Sequence, residues 1–153
     1  MGYTTTFHSA FVLDRELDDD TFTFLKKLND TRRMKRAVGP EYGVEGEFYV
    51  DGGGMCGQAE ESNIVDYNTP PSTQPGLWCQ WVPTEDRRYI QWDGGEKFYN
   101  YVKWLQYIID KVLQPEGYVL NGQVAWVGED SSDQGIMVVK DNKITTLEKT
   151  YER

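Results

Sequence analysis

The sequence predicts an α+β fold: a mostly antiparallel sheet with two helices packed on one face, a split β-α-β-like start and a C-terminal β meander. Three observations predict it. Only two segments, ELDDDTFTFLKKLNDTRRMKR and GEKFYNYVKWLQYIIDKVLQ, carry helical periodicity. Short runs rich in β-branched and aromatic residues, separated by turn residues, fill most of the remainder. The last third alternates such runs with tight-turn dipeptides, so its strands follow one another as a meander.

Residues 3–13, YTTTFHSAFVL, read as a first strand with Tyr3, Thr5, Phe7, Ser9 and Phe11 toward the core. Asp18 to Asp20 then place negative charge where a helix begins, and Phe24, Leu25 and Leu28 form its apolar stripe. The helix is expected over about 18–33, with Lys and Arg crowding its C-terminal half. Residues 37–76 are punctuated by Gly and Pro. They hold one expected strand, GEFYVDG (46–52), and a loop-rich insertion at about 52–76.

A hairpin follows, with strands over 76–82 and 88–92 around PTEDR. Residues 95–114 give the clearest helix: Phe98, Tyr101, Val102, Leu105, Ile108, Ile109 and Val112 share a face, and Pro115 is expected to stop it. Beyond it, YVL is expected to turn at Asn121-Gly122 into QVAWVG, an acidic loop covers 129–134, and GIMVV and KITTLE pair around Asp141-Asn142. The tail KTYER is expected to fray. No repeat or linker divides the chain, so residues 1–153 are expected to form a single domain with its insertion at 52–76.

The 153 residues are 39% hydrophobic and 14% aromatic, enough for a real core, and the net charge is −9. An exterior that acidic repels nucleic-acid phosphates and anionic membranes, and favours a basic protein partner or a cation. No apolar stretch reaches the roughly 18 residues of a membrane span, and the first residues lack the pattern of a secretory signal. A soluble, cytoplasmic protein is expected. Cys56 and Cys79 are too few for a disulfide framework and read as thiols in a reducing compartment.

Each candidate for chemistry has a plain structural alternative. In RYIQWDGGEKF, Asp93 and Glu96 could hold Mg2+ or Ca2+, or share acid–base work. A capping box at the start of the second helix explains the same residues, with Asp93 as cap and Glu96 as its reciprocal partner. DGGGMCGQ (51–58) lacks the Lys-Ser/Thr of a phosphate loop, and its acidic neighbours oppose phosphate. His8 is the only histidine and has no motif around it to fix a catalytic role; one His and two separated Cys do not make a zinc site.

The run TRRMKR (31–36) stands out against the acidic background. Cations suit a helix C-terminus, yet four within six residues exceed what the dipole asks for. Arg32, Arg33 and Arg36 are therefore the candidate anion contacts, with Trp78 and Trp81 as stacking platforms. No catalytic residue, metal ligand or cofactor is assigned.

Five stretches, YTTTFHSAF, TRRMKR, DYNTPPSTQPGLWCQWVP, WDGGEKFYNYVKWLQYIID and GYVLNGQVAWVGED, together resemble a group of small uncharacterised proteins of bacteria and bacteriophages. The resemblance covers nearly the whole chain. It implies one compact domain and supplies no catalytic residue. A bacteriophage context would imply an accessory role, such as interfering with a host defence system. Three functions are thus expected in order: a non-enzymatic interaction protein that engages a basic partner through its acidic surface; a binder of a nucleotide-like anion at the Arg/Trp set; and a metal-assisted hydrolase using Asp51, Asp93 and Glu96.

Overall fold

The N-terminal run forms two strands where the sequence predicts one: β1 (Thr5–His8) and β2 (Phe11–Leu13). Ser9, at φ +85°, breaks the run between them. The structure, a computed structural model, describes residues 2–148, so the expected fraying of 149–153 lies outside the described residues. The chain forms two compact units, one from Met1–Asp18 and Gln80–Arg153, the other from Asp19–Cys79.

The first unit carries the sheet. After β1 and β2 come β5 (Trp81–Pro83), β6 (Tyr89–Trp92), β7 (Leu120–Gly128), β8 (Gln134–Lys140) and β9 (Lys143–Glu148); β3 (Lys35–Arg36) and β4 (Ile64–Asp66) belong to the second unit. All seven strands pair antiparallel, in the order β5-β6-β2-β7-β8-β9, with β1 also on β7. The α+β class and the C-terminal meander are as the sequence predicts.

The expected turn at Asn121-Gly122 is absent; β7 runs through both residues. Gly122 serves a close approach instead. A Cβ there would lie 3.3 Å from the Phe11 Cα and 3.4 Å from the Ala10 carbonyl oxygen, where the β1–β2 connection passes β7. The turn at Asp141-Asn142 does form. Its φ values of +48° and +69° are those of a type I′ hairpin turn.

The helix of this unit, α2, spans only Tyr101–Ile108, against the expected 95–114. Lys97 and Asn100 both take φ +59°, so the chain before α2 is irregular and swings Phe98 inward to 2% exposure. Past Ile108 the helix widens into a π turn (Ile109–Leu113), and Ile108, Ile109, Val112 and Leu113 are all buried. A tight turn over Gln114–Glu116 follows, and Gly117 at φ +78° ends the helical run, so Pro115 is carried inside it and is not its stop.

The core is aromatic. The Phe7 ring meets Trp81, Trp92, Phe98 and Tyr101 edge-on at centroid distances of 5.3, 5.4, 5.8 and 4.9 Å.

The second unit has α1 (Asp19–Asp30), three residues shorter than expected at its C-terminal end, and a two-stranded ribbon of β3 (Lys35–Arg36) and β4 (Ile64–Asp66) that the sequence did not suggest. Thr31 closes the helix by donating its hydroxyl to the Lys27 carbonyl at 2.7 Å. The expected strand over 46–52 does not form. Glu45 (φ +54°) and Gly46 (φ +78°) make a tight turn there, with the Glu47 N–H donating to the Val44 carbonyl at 3.0 Å. A second copy of that turn uses Cys56 (φ +54°) and Gly57 (φ +71°). Only Trp81 and Val82 of the expected strand 76–82 are extended within β5.

Candidate functional site

The basic run leaves α1 as an extended segment, so its side chains alternate and are not displayed on a helix end. Each arginine ties down a different loop of the second unit. Arg32 donates through Nε to the Tyr67 carbonyl at 2.9 Å and through Nη2 to Asn68 Oδ1 at 3.1 Å. Arg33, 1% exposed, donates to the Glu47 carbonyl at 2.9 Å and to Gln74 Oε1 at 3.2 Å. Arg36, 3% exposed, donates to the Gly57 carbonyl at 3.0 Å, Asn63 Oδ1 at 2.8 Å and Glu61 Oε1 at 3.1 Å, and lies 4.4 Å from the Tyr49 ring centroid.

The physical cause is the lack of regular structure. Loops over 37–76 leave carbonyls that no ladder satisfies, and buried carbonyls need donors. A guanidinium offers five N–H groups in a rigid fork and serves several carbonyls at once. The unit buries few apolar side chains, chiefly Leu25, Leu28, Met34 and Cys79, so these arginines do much of what a core does elsewhere.

At the unit's surface, Arg32 and Trp78 do come together, the guanidinium lying 5.8 Å from the indole centroid, both residues half-buried. Arg33 and Arg36 are committed inside. Trp81 belongs to the sheet unit, where it is 1% exposed and donates its indole N–H to the Tyr101 carbonyl at 2.8 Å. It is a core residue with no face open to a ligand.

The glycine run is part of the same scaffold. Gly53 donates its N–H to Glu61 Oε1 at 3.3 Å, the oxygen that Arg36 also holds. The anion this glycine N–H meets is thus a carboxylate of the chain itself. A Cβ on Gly52 would come within 2.8 Å of both Arg36 Nη2 and the Gly57 carbonyl oxygen, so the loop is packed against Arg36.

The turn around Asp93 is not a capping box for α2. Asp93 Oδ1 accepts from the Gly95 N–H at 2.7 Å, a local Asx turn, and Asn100 is the residue at the helix start. The Glu96 carbonyl accepts from the Gln80 side chain at 2.7 Å. Asp51 pairs with Lys27 at 2.6 Å. Among the described residues no group of three or more His, Cys, Asp and Glu side chains is placed to hold a metal ion. Cys56 and Cys79 form no disulfide.

A further surface lies on the sheet face opposite the aromatic core. Cross-strand register aligns His8, Ala125, Ile136 and Leu147 in one row. Ile136 and Leu147 are 37% and 57% exposed, and beside them is a hollow of about 350 Å3 lined by Ala125, Val127, Gln134, Ile136 and Leu147. Carboxylates gather at the end of the sheet next to it. Asp133 in the β7–β8 loop accepts from the Trp126 indole at 2.9 Å and the Tyr3 hydroxyl at 2.8 Å, with Glu129, Asp130 and Glu148 at the same end. Burial, then the charge of Asp133 and Glu148, pushes the Tyr101 phenol up to about 12. The alternation of GIMVV and KITTLE carried the signal for this face, since one-sided burial of an antiparallel meander leaves its other side to solvent.

Comparison with protein-family models, curated proteins and solved structures finds no match. Among the described residues no helix is long and apolar enough to cross a membrane.

Proposed function

We propose that this protein is a non-enzymatic binding protein that engages a basic partner protein through an acidic exterior. The observation that carries this reading is the burial of Arg33 and Arg36. The basic run, the feature most suggestive of an anion site, is largely withdrawn from solvent, while of the second unit's carboxylates only Glu47 is buried. The surface is therefore more acidic than the composition alone indicates, and a cationic partner gains from it in affinity and in encounter rate. The resemblance of the sequence motifs to small proteins of bacteria and bacteriophages would, in a bacteriophage context, imply an accessory role such as interference with a host defence system, and that role is part of this proposal.

The test is titration calorimetry of the folded chain with poly-lysine and with poly-glutamate at rising salt. Poly-lysine is expected to bind and to weaken as salt rises, and poly-glutamate to stay inert. Equal binding of both, or of neither, would remove the reading.

A second reading, a nucleotide-like anion held on Arg32 and stacked on Trp78, is favoured by the approach of those two side chains at 5.8 Å. It requires a tryptophan fluorescence change on addition of a nucleotide that is lost in Trp78→Phe. The metal-assisted hydrolase requires millimolar Mg2+ or Ca2+ to raise the melting temperature.

A further inference from the structure

The β8–β9 hairpin fixes which backbone groups of β9 face outward. Its two-residue type I′ turn makes Lys140 and Lys143 the flanking pair, which exchanges both of its hydrogen bonds. Pairing then alternates along an antiparallel ladder. Lys143, Thr145 and Leu147 are spent on β8, whereas Ile144, Thr146 and Glu148 aim their N–H and C=O groups away from it. β9 is the last strand in the sheet order, and five of its six residues are exposed.

The two ends of the sheet differ in how they are protected. β5 is three residues long and finishes at Pro83, which has no N–H to offer. β9 is twice that length, contains no proline and keeps unbroken register over 143–148. Lys143 and Glu148 put charge only at the two ends of β9, and the outward backbone groups of Ile144 and Thr146 between them, with no proline or bulge to interrupt them, are a template for strand addition.

Charge selects the occupant. The β7–β8 loop, with Glu129, Asp130 and Asp133, lies at the end of the sheet where Glu148 closes β9, while Lys140 and Lys143 flank the turn at the other end; the chain's net charge of −9 sets one copy against another. The hollow lined by Ile136 and Leu147 lies on the sheet face next to this edge and offers an apolar wall. We propose that the outer edge of β9 is a docking site for an extended basic segment of a partner protein, its apolar and basic residues alternating, which adds to the sheet as an eighth strand. This inference rests on the reading of the protein as a binder of basic partners.

The test uses an eight-residue alternating Lys-Val peptide as probe and its Glu-Val counterpart as control. Binding of the Lys-Val peptide to the full chain is expected to slow amide exchange at Ile144, Thr146 and Glu148 by at least tenfold. Thr146→Pro removes one outward N–H and no bond to β8. It is expected to weaken binding at least tenfold with an unchanged melting temperature. Leu147→Asn, which removes the apolar side chain beside the hollow without changing the charge and keeps every backbone group, is the second variant and is expected to weaken binding likewise. If Thr146→Pro fails to fold, exchange in the wild type and the Leu147→Asn result decide. Equal binding by wild type and both folded variants, or no protection at the three amides, overturns the edge site while poly-lysine binding still upholds the broader reading. Failure of both peptide and poly-lysine removes the broader reading too. Concentration-dependent protection without peptide would assign the edge to a second copy and overturn the proposal.

Discussion

Arg36 and Glu61 are joined by a 3.1 Å bond that runs from a guanidinium side chain 2% exposed to a carboxylate 30% exposed. The pair has one foot in the interior and one at the surface. Its energy is therefore set by Arg36, whose other donors serve the Gly57 carbonyl and the Asn63 side-chain oxygen.

Arg36→Ala is expected to destabilise the second unit by about 3 kcal/mol, the lower end of what removing one partner of a buried pair costs, because Glu61 keeps access to water. Arg36→Lys recovers only part of this, since an ammonium cannot serve Gly57, Asn63 and Glu61 from one plane. Urea denaturation measures both. An Arg36→Ala chain as stable as the wild type would refute the scaffold role of the basic run.

Glu45 gives the second unit a pH dependence. Its carboxylate accepts from Lys35 at 2.8 Å and from the Ser72 N–H at 2.7 Å, which lowers its pKa from 4.5 to about 2. A depressed acid contributes stability above its unfolded pKa and loses it as pH falls through the folded one. The contribution is thus full at neutral pH and vanishes between about 4.5 and 2. Glu45→Gln is expected to be less stable than the wild type at pH 7 and indistinguishable at pH 2. An NMR titration of the Glu45 side chain with a midpoint near 4.5 would contradict this.

The class of fold, the inward face of the first strand with Phe7 and Phe11, and the last hairpin are legible in the sequence because each follows from local chemistry. Alternation marks β8 and β9, and Asp141-Asn142 suits the left-handed backbone of their turn. The errors share a cause: a residue chosen for a distant contact imitates a local signal. Asn121-Gly122 looks like a turn, yet Gly122 is there because Phe11 and Ala10 pass close by. Phe98 fits the helical stripe of α2, yet it is drawn into the cluster of Phe7 and Trp81 through a stretch that is not helical. The basic run looks like a helix end or an anion site, yet its members reach carbonyls up to 41 residues away. No spacing rule announces that a guanidinium will replace a hydrophobic core.

Asn142 holds the tip of the last hairpin to the start of β7. Its Oδ1 accepts from the Leu120 N–H at 2.7 Å and its Nδ2 donates to the Tyr118 carbonyl at 2.9 Å. Asn142→Ala leaves both groups unsatisfied and puts alanine at φ +69°, so a loss of about 3–4 kcal/mol is expected. Asn142→Gly keeps the backbone at ease and loses only the bonds, and should be about 1 kcal/mol less damaging. Thermal denaturation of the two variants separates backbone strain from hydrogen bonding. Equal losses would show that the left-handed conformation carries no weight here.

Tyr101 links the acidic end of the sheet to the core. Burial comes first, then the charges of Asp133, Tyr3 and Glu148, and together they raise its phenol from 10 to about 12. Losing that proton puts negative charge into a half-buried site already facing carboxylates. A group whose folded pKa is raised contributes stability below its unfolded pKa and loses it as pH climbs through the folded one. Tyr101 therefore weakens the sheet unit between pH 10 and about 12 and has no such effect at neutral pH. Tyr101→Phe is expected to flatten this alkaline loss, and Asp133→Asn to bring the phenol's midpoint down toward 10 by removing one of the facing charges. Ultraviolet difference titration of the wild type against Tyr101→Phe isolates the ionisation of this phenol from that of the other tyrosines. A Tyr101→Phe chain that loses stability between pH 10 and 12 as steeply as the wild type would show that the carboxylate cluster does not act through this phenol.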